Sequence, residues 1–208
     1  VGMAVAERHL NARFGDDLVD HRTWVVAGDG CLMEGINHEA IGLAGHLGLG
    51  RLIVFWDDNR ITIDGATDLS TSEDIAARYR ASGWHVEACD GHDFNDIERA
   101  IHASLADNRP SLIACRTLIG KGSPNKEGTK APHGSPLGAD EIVATRAAIN
   151  WPYPAFEVPA DILGAWRATG QAGAEAHASW AKRLAASNHA ETFTKSMSGA
   201  VDSGWLKP

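Results

Sequence analysis

The residues best suited to chemistry stand where two apolar runs end. The run TWVVAG leads into a Gly-Asp-Gly turn at 28–30, and the run RLIVFWD leads into Asp58 and Asn59. Gly28 and Gly30 would allow positive φ and let backbone N–H groups approach an anion such as a phosphate. The carboxylate between them opposes this, because about 4 Å from a phosphate oxygen it is repelled by roughly 4 kcal/mol at an effective dielectric constant of about 20. An acid in this turn therefore requires a cation beside the phosphate.

A divalent cation such as Mg²⁺ fits these residues. Asp29 would give it one hard oxygen, the side-chain carbonyl of Asn59 a second, and a backbone carbonyl just beyond Asn59 a third. A diphosphate and water would complete the octahedron that Mg²⁺ prefers. Because Asn adds no negative charge against the phosphates, the pair predicts a metal-bound diphosphate.

The elements that must position these residues are strands alternating with helices. Four short apolar runs predict buried strands: TWVVAG at 23–28, RLIVFWD at 51–57, WHVEAC at 84–89 and SLIACRTL at 111–118. Between them, two sets of apolar positions at helical spacing predict two buried helix faces: Ile36, Ala40, Leu43, Ala44 and Leu47, then Ile97, Ile101 and Leu105. This rhythm predicts an α/β fold with a parallel sheet flanked by helices. Ligands bind such sheets at the carboxyl ends of the strands, where Asp29 and Asn59 lie.

Outside the predicted sheet, the sequence predicts further helices and one long loop. The sequence begins in a helical pattern, and the 22 residues at 119–140 hold five glycines and three prolines with little periodicity. Its composition gives such a loop little structure of its own, and a loop of that length is usually functional or disordered. Helical patterns return at 139–149 and at about 161–190, and 196–208 predicts a linker or frayed end.

Composition and net charge argue against binding to nucleic acid or to a membrane. The 208 residues are 44% apolar, and 19 Lys and Arg against 27 Asp and Glu give a net charge of −8. An acidic chain is a poor partner for nucleic-acid phosphates or anionic lipid, so we expect no nucleic-acid or membrane partner. Three widely spaced cysteines predict reduced packing residues, and no run of about 20 apolar residues or basic-apolar leader is seen. We expect a cytoplasmic protein.

Four motifs in this order resemble transketolase. They are GDGCLMEGINHEA, DDNRITIDG, IGKGSPNKEGT and HGSPLG, with WPYPAFEVP behind them. The resemblance implies the thiamine diphosphate-binding fold, with this chain as the later part of an incomplete first domain. Residues 1–150 would form the diphosphate- and metal-binding domain, and 151–208 a helical extension and linker toward a second domain.

The resemblance also implies roles for single residues. Asp29, Asn59 and the backbone carbonyl of Ile61 would hold Mg²⁺, or Ca²⁺ or Mn²⁺ in its place. The cofactor thiamine diphosphate would contact a wider set: Gly28, Asp29, Gly30, Asn59, Ile63 and His133.

Two residues would belong to the catalytic machinery. Glu34 matches a glutamate at the subunit interface near the cofactor, although an acid in the first turn of a helix is also favoured by the helix dipole. His133 matches a loop histidine that assists substrate binding and proton transfer, although a loop histidine can also lack such a task.

The implied activity is transfer of a two-carbon ketol unit from a ketose phosphate to an aldose phosphate in the pentose phosphate pathway. It would need the remaining transketolase domains in a homodimer, so this chain alone should be inactive. A dihydroxyacetone synthase or 2-oxo acid dehydrogenase subunit shares the metal signature, and a non-catalytic transketolase-like partner subunit would keep the fold only. A dinucleotide-binding dehydrogenase is excluded because no G-x-G-x-x-G follows a strand.

Overall fold

The computed structural model describes residues 1–199 and residue 204. Its helices are α1 (Gly2–Phe14), α2 (Asp29–Met33), α3 (Gly35–His46), α4 (Ile75–Ala81), α5 (Phe94–Ala106), α6 (Ala139–Ala148), α7 (Ala160–Ala186) and α8 (Ala190–Met197). Its strands are β1 (Thr23–Gly28), β2 (Leu52–Asp58), β3 (His85–Asp90) and β4 (Ser111–Arg116). All four predicted strands are confirmed to within two residues at each end.

The four strands form one parallel sheet in the order β1-β2-β4-β3. Its register places Gly28 opposite Asp57, and Asp57 opposite Cys115. The carboxyl ends of β1, β2 and β4 therefore meet at one edge. Asp29, the residue after β1, lies beside the end of β2 for this reason.

Helices cover both faces of the sheet, which confirms the α/β prediction. On one face Leu52, Val54 and Leu112 pack with Ile41 of α3 and Tyr79 of α4. On the other face, Ile53, Cys89, Ile113 and Cys115 of β2, β3 and β4 pack against α5. The α5 residues in this cluster are Ala100 and the three predicted ones, Ile97, Ile101 and Leu105. Burial of these apolar side chains is the main stabilising term.

The predicted buried face of α3 is wrong. Ala44 is buried, but its buried neighbour is Ile41, whereas Ile36, Leu43 and Leu47 are 71%, 49% and 48% exposed. This helix has apolar residues on more than one side, so helical spacing alone fits two stripes. The stripe that packs with the sheet contains Ile41 and Ala44.

The chain divides into two compact units, Val1–Val5 with Arg22–Pro152, and Ala6–His21 with the residues from Tyr153 onward. The second unit has its own apolar cluster of Phe14, Leu18, Val19 and Phe193. Within it the indole Nε1 of Trp180 donates to the Leu18 carbonyl at 3.0 Å.

The helix predicted at 161–190 is broken into α7 and α8, because Ser187 is extended with ψ of 139°. The linker predicted at 196–208 is wrong at its start, where Ser196 and Met197 belong to α8. Most of the remainder lies outside the described residues.

The three cysteines are free thiols. Cys89 and Cys115 are buried on paired strands with sulfurs 3.7 Å apart, and burial raises the pKa of Cys115 to about 12. The predicted packing role is confirmed for Cys89 and Cys115. It is wrong for Cys31, which is exposed. Within residues 1–199 and 204, no helix combines the length and apolarity needed to cross a membrane.

Candidate functional site

Asp29 begins α2 and is 4% exposed. Its Oδ1 accepts a hydrogen bond from Trp56 Nε1 at 3.0 Å, and its Oδ2 accepts from the backbone N–H of Arg60 at 2.8 Å. Both donors come from the end of β2 and the residues after it. The carboxylate predicted to be a metal ligand is thus tied to the strand end that carries Asn59.

The electrostatics around Asp29 suit a cation. Burial raises the pKa of its carboxyl, the charges of Asp58 and Asp57 raise it further, and the bonds from Trp56 and Arg60 lower it. No Lys, Arg or His side chain in the part of the chain that the structure describes pairs with this carboxylate. A buried acid beside two further acids is stabilised by a bound cation, so the donor set fits a divalent metal.

Asn59 is held by both ends of its amide group. Its Nδ2 donates to Asp57 Oδ2 at 2.9 Å, and its Oδ1 accepts from the Ile61 N–H at 2.9 Å. Asp57 is fixed in turn by the hydroxyl of Thr117, which donates to it from the residue after β4. An amide oxygen has two lone pairs, so Asn59 Oδ1 keeps one for a cation.

Arg60 has an unusual backbone conformation between these ligands. Its φ is +59°, in the left-handed region that a residue with a side chain seldom adopts. This bend lets the Arg60 N–H reach Asp29 while Asn59 and Ile61 close their own turn. Such strain is held only where surrounding contacts determine it, and it is common at functional sites.

Gly28 and Gly30 are not needed for positive φ, so that part of the prediction is wrong. Gly28 has φ of −88°, and the positive-φ glycines of the described chain do not include Gly30. A Cβ at either position would meet no atom within 4 Å. What these glycines provide is open space over the start of α2, as approach of an anion requires.

Glu34 lies between α2 and α3, where it precedes the second helix and not, as predicted, in its first turn. At the break, the Leu32 carbonyl accepts from Asn37 Nδ2 of α3 at 3.0 Å and from Arg78 Nη2 of α4 at 2.9 Å. The Glu34 side chain is exposed and gives no cap to α3. The structure therefore leaves it at the surface, at the far end of α2 from Asp29.

Ile63 and His133 lie on two loops that touch. Ile63 is 68% exposed in the turn after Asn59, where Thr62 N–H donates to the Gly65 carbonyl at 2.7 Å. Lys130 Nζ, three residues before His133, donates to the Asp64 carbonyl at 3.0 Å. The His133 side chain is exposed. The His133 loop is thus brought to the segment that carries Asn59, Ile61 and Ile63.

The loop at 120–138 has more internal structure than its composition predicted. Backbone bonds run from Ser123 N–H to the Gly120 carbonyl at 2.9 Å and from Gly128 N–H to the Ile119 carbonyl at 2.8 Å. Glu127 Oε2 accepts from the Gly122 N–H at 2.6 Å. The loop therefore contains hydrogen-bonded turns but no helix or strand.

A cavity of 500 Å³ adjoins Asp29 and is also lined by Met33, Trp56, Arg60 and residues of the 67–76 segment. A larger cleft of 620 Å³ lies at the ends of β3 and β4 and contains none of the predicted site residues. No group of three His, Cys, Asp or Glu placed to hold a metal occurs within residues 1–199 and 204. The candidate metal corner depends instead on one carboxylate, one amide and one backbone carbonyl.

Sequence reasoning missed the residues that orient the Asp29 and Asn59 side chains, namely Trp56, Asp57, Arg60 and Thr117. Asp57 and Arg60 flank the ligands in the chain, and their proximity was the available signal. Trp56 resembles any core residue of an apolar run, and Thr117 follows another strand, β4. Only the register of β1, β2 and β4 reveals these two.

Comparison with known proteins gives consistent results. A family model described as transketolase, thiamine diphosphate binding domain, matches residues 1–203. A transketolase of Cereibacter sphaeroides is 59% identical over 208 residues, which are 100% of this chain and 31% of that protein.

Solved structures agree with this match. The structure of transketolase from Leishmania mexicana superposes with a TM-score of 0.93 at 38% identity, over 98% of this chain and 32% of that one. A Pichia stipitis transketolase in complex with sedoheptulose-7-phosphate gives a TM-score of 0.84 at 39% identity, over 89% of this chain and 28% of that one. The chain spans about a third of the length of these relatives.

Proposed function

The chain belongs to the transketolase family, and on that premise we propose that it holds the diphosphate of thiamine diphosphate through a divalent cation, Mg²⁺ foremost. In a complete dimeric enzyme it would serve transfer of a two-carbon ketol unit from a ketose phosphate to an aldose phosphate. The bound cofactor would supply the carbon-centred chemistry that amino-acid side chains lack. The protein would supply binding, orientation and proton transfer.

The observation that carries this proposal is the corner formed by Asp29 and Asn59. The carboxylate is buried, lies beside Asp57 and Asp58, and is bonded to the chain segment that begins at Asn59. A cation at this corner would offset the acidic charges and attract a diphosphate. Asp29, Asn59 and the Ile61 carbonyl would hold the metal, and the open backbone at Gly28 and Gly30 would admit the diphosphate.

Ile63, His133 and Glu34 would serve the organic part of the cofactor and the substrate. The cofactor would cover the side chain of Ile63 and so bury an apolar residue that is otherwise exposed on a surface turn. His133 would take and return hydroxyl protons of the sugar, since a histidine does so near neutral pH. The sugar phosphate named in the Pichia stipitis complex supports phosphorylated sugars as substrates.

A homodimer is proposed on the exposed stripe of α3. Ile36, Leu43 and Leu47 present apolar side chains beside the exposed Glu34, and subunit interfaces bury such stripes. Glu34 would then act at the interface between two copies. Residues 1–150 would form the binding domain, with 151–208 as an extension toward further domains of the full-length enzyme.

Titration of thiamine diphosphate with and without Mg²⁺ tests the proposal. In the full-length enzyme Asp29→Asn should weaken Mg²⁺-dependent binding at least about 100-fold, because a charged ligand is lost from a buried site. Asp68→Asn is the matched control, because it removes an exposed acid that lines the same cavity. Equal affinity in the two variants would refute the metal assignment, and absence of ketol transfer in the unaltered enzyme would refute the activity.

A further inference from the structure

Glu141 is an acid that the proposed site does not use, yet its bonds all go to the loop that carries His133. It lies in the first turn of α6 and is 8% exposed. Its Oε1 accepts from the Ser123 hydroxyl and from the Asn125 N–H at 2.9 Å, and its Oε2 accepts from Asn125 Nδ2 at 2.9 Å. Three donors from two loop residues thus converge on one carboxylate.

The second half of the loop is closed onto this anchored first half. Lys126 Nζ donates to the Leu137 carbonyl at 2.7 Å. Pro132, the residue before His133, packs so tightly on Gly120 that a Cβ there would lie 2.9 Å from Pro132 Cγ. Displacement of the first half would therefore be transmitted to the residues around His133.

We propose that Glu141 is a positioning residue that holds the His133 loop in its working place against the Asp64 turn. The proposal rests on the proposed function, in which His133 serves the sugar substrate. Glu141 touches neither cofactor nor metal corner in this arrangement; it acts through Ser123 and Asn125. The same three donors, Ser123 first, lower the pKa of Glu141, so at neutral pH the anchor carries its full charge.

The neighbouring acid shows that helix-dipole stabilisation does not account for Glu141. Asp140 lies in the same first turn, where any acid is favoured by the helix dipole, but its side chain is exposed. Only Glu141 turns inward to the loop donors. Asp140→Asn is therefore a matched control that removes the same charge from the same turn.

The test uses the full-length enzyme with Glu141→Ala, Glu141→Gln, Asn125→Ala and Asp140→Asn. The first measurement is the rate of tryptic cleavage after Lys126 and Lys130, located by peptide mass. Loss of bonds to a charged acceptor should raise this rate about tenfold in Glu141→Ala and less in Asn125→Ala and Glu141→Gln, which keep some of the bonds. Asp140→Asn should be cleaved at the rate of the unaltered enzyme.

The second measurement separates positioning from general destabilisation. In Glu141→Ala, kcat/KM for ketol transfer should fall about tenfold while the affinity for Mg²⁺ and thiamine diphosphate stays unchanged, and Glu141→Gln should restore part of the loss. Combined with His133→Ala, Glu141→Ala should cost little more than His133→Ala alone, because both act through one side chain.

Each outcome decides the proposal. Cleavage of both Glu141→Ala and Asn125→Ala at the control rate would overturn the anchor, whether or not the enzyme turns over sugars. Additive losses in the double variant, or loss of cofactor affinity, would overturn the positioning role. Faster cleavage in an enzyme without ketol transfer would leave the anchor standing and refute the proposed function together with the role in it.

Discussion

The contacts that hold the Asp29 corner join residues far apart in the chain, whereas those that hold the His133 loop are more local. Trp56 and Arg60 bind Asp29 across 27 and 31 residues, and Thr117 binds Asp57 across 60. The bonds from Glu141 to the loop span 18 and 16 residues, and that from Lys126 to Leu137 spans 11. The corner requires the sheet to be formed. The loop is held by its own turns, by α6 and by one longer contact, from Lys130 Nζ to the Asp64 carbonyl across 66 residues.

This difference predicts different stability for the two parts of the site. Opening the corner would disturb the register of β1, β2 and β4, which lies in the core. Opening the loop would break its bonds to α6 and leave the sheet intact, and such segments open at lower free energy than the whole domain. A rigid corner and a separately adjustable loop can coexist on one domain in this way.

The largest expected effect is at the corner. Trp56→Phe removes the Nε1–H donor from a buried carboxylate and should lower the free energy of unfolding by about 2 kcal/mol. The measurement is urea unfolding. Trp24→Phe, at a half-exposed indole that stacks on Phe55, is the control and should cost less. An equal loss in the two variants would mean that the indole bond contributes nothing at the corner.

A smaller effect is expected in the loop. Gly120 has φ of +66° and lies against Pro132, so Gly120→Ala should cost about 1 to 2 kcal/mol of local strain. Amide hydrogen exchange should quicken at 120–133 and stay unchanged at Arg60 and Ile61. Gly134→Ala, where a Cβ would meet open space, is the matched control. Faster exchange at Arg60 would show that the loop and the corner open together.

A still smaller change is expected at Arg60. Glycine adopts the left-handed conformation of Arg60 freely but loses more entropy on folding. The free energy of unfolding of Arg60→Gly should therefore lie within about 1 kcal/mol of that of the unaltered protein. Arg60→Val removes the same charge, yet a β-branched residue is poorly tolerated at positive φ and should destabilise more. Thermal unfolding compares the two. Equal melting temperatures would show that this backbone conformation is lost easily.

The smallest effect is a pH dependence confined to the loop. The pKa of Glu141 is lowered from its usual 4.5 in the folded state, so its stabilisation is complete above that value and is lost as pH falls through the lower folded pKa. Exchange protection of the Asn125 and Gly128 amides, corrected for intrinsic rates, should fall in that acidic window. Glu141→Gln should remove this pH dependence, and its persistence there would assign it to another group.

The Asp29 corner and the His133 loop also differ in how much of each could be predicted from the sequence. Asp29 and Asn59 could be predicted together because parallel strand ends converge and because an acid in a phosphate turn demands a cation. Trp56 and Thr117 could not, since their contacts depend on strand order, which periodicity does not reveal. In the loop, composition indicated function but concealed the turns, because these depend on single hydrogen bonds such as those between Gly128 and Ile119 and between Gly122 and Glu127.

The helices also differ in how well their buried faces could be predicted from the sequence. Helix α5 has one apolar face, and its predicted packing is confirmed. Helix α3 has apolar residues on several sides, and the choice between them belongs to the sheet and to the break at Glu34. The helix expected between the second and third strands is the short α4, and its buried face was not specified because only Ile75 and Tyr79 of its seven residues are buried.

The uneven burial of the cysteines offers a practical route to these measurements. Cys31 is exposed on α2, two residues from Asp29, while the thiols of Cys89 and Cys115 lie inside the sheet. In this chain a maleimide dye would therefore react selectively beside the Asp29 corner, without prior removal of other thiols. Its emission would show in real time, and apart from turnover, whether added Mg²⁺ and thiamine diphosphate reach that position.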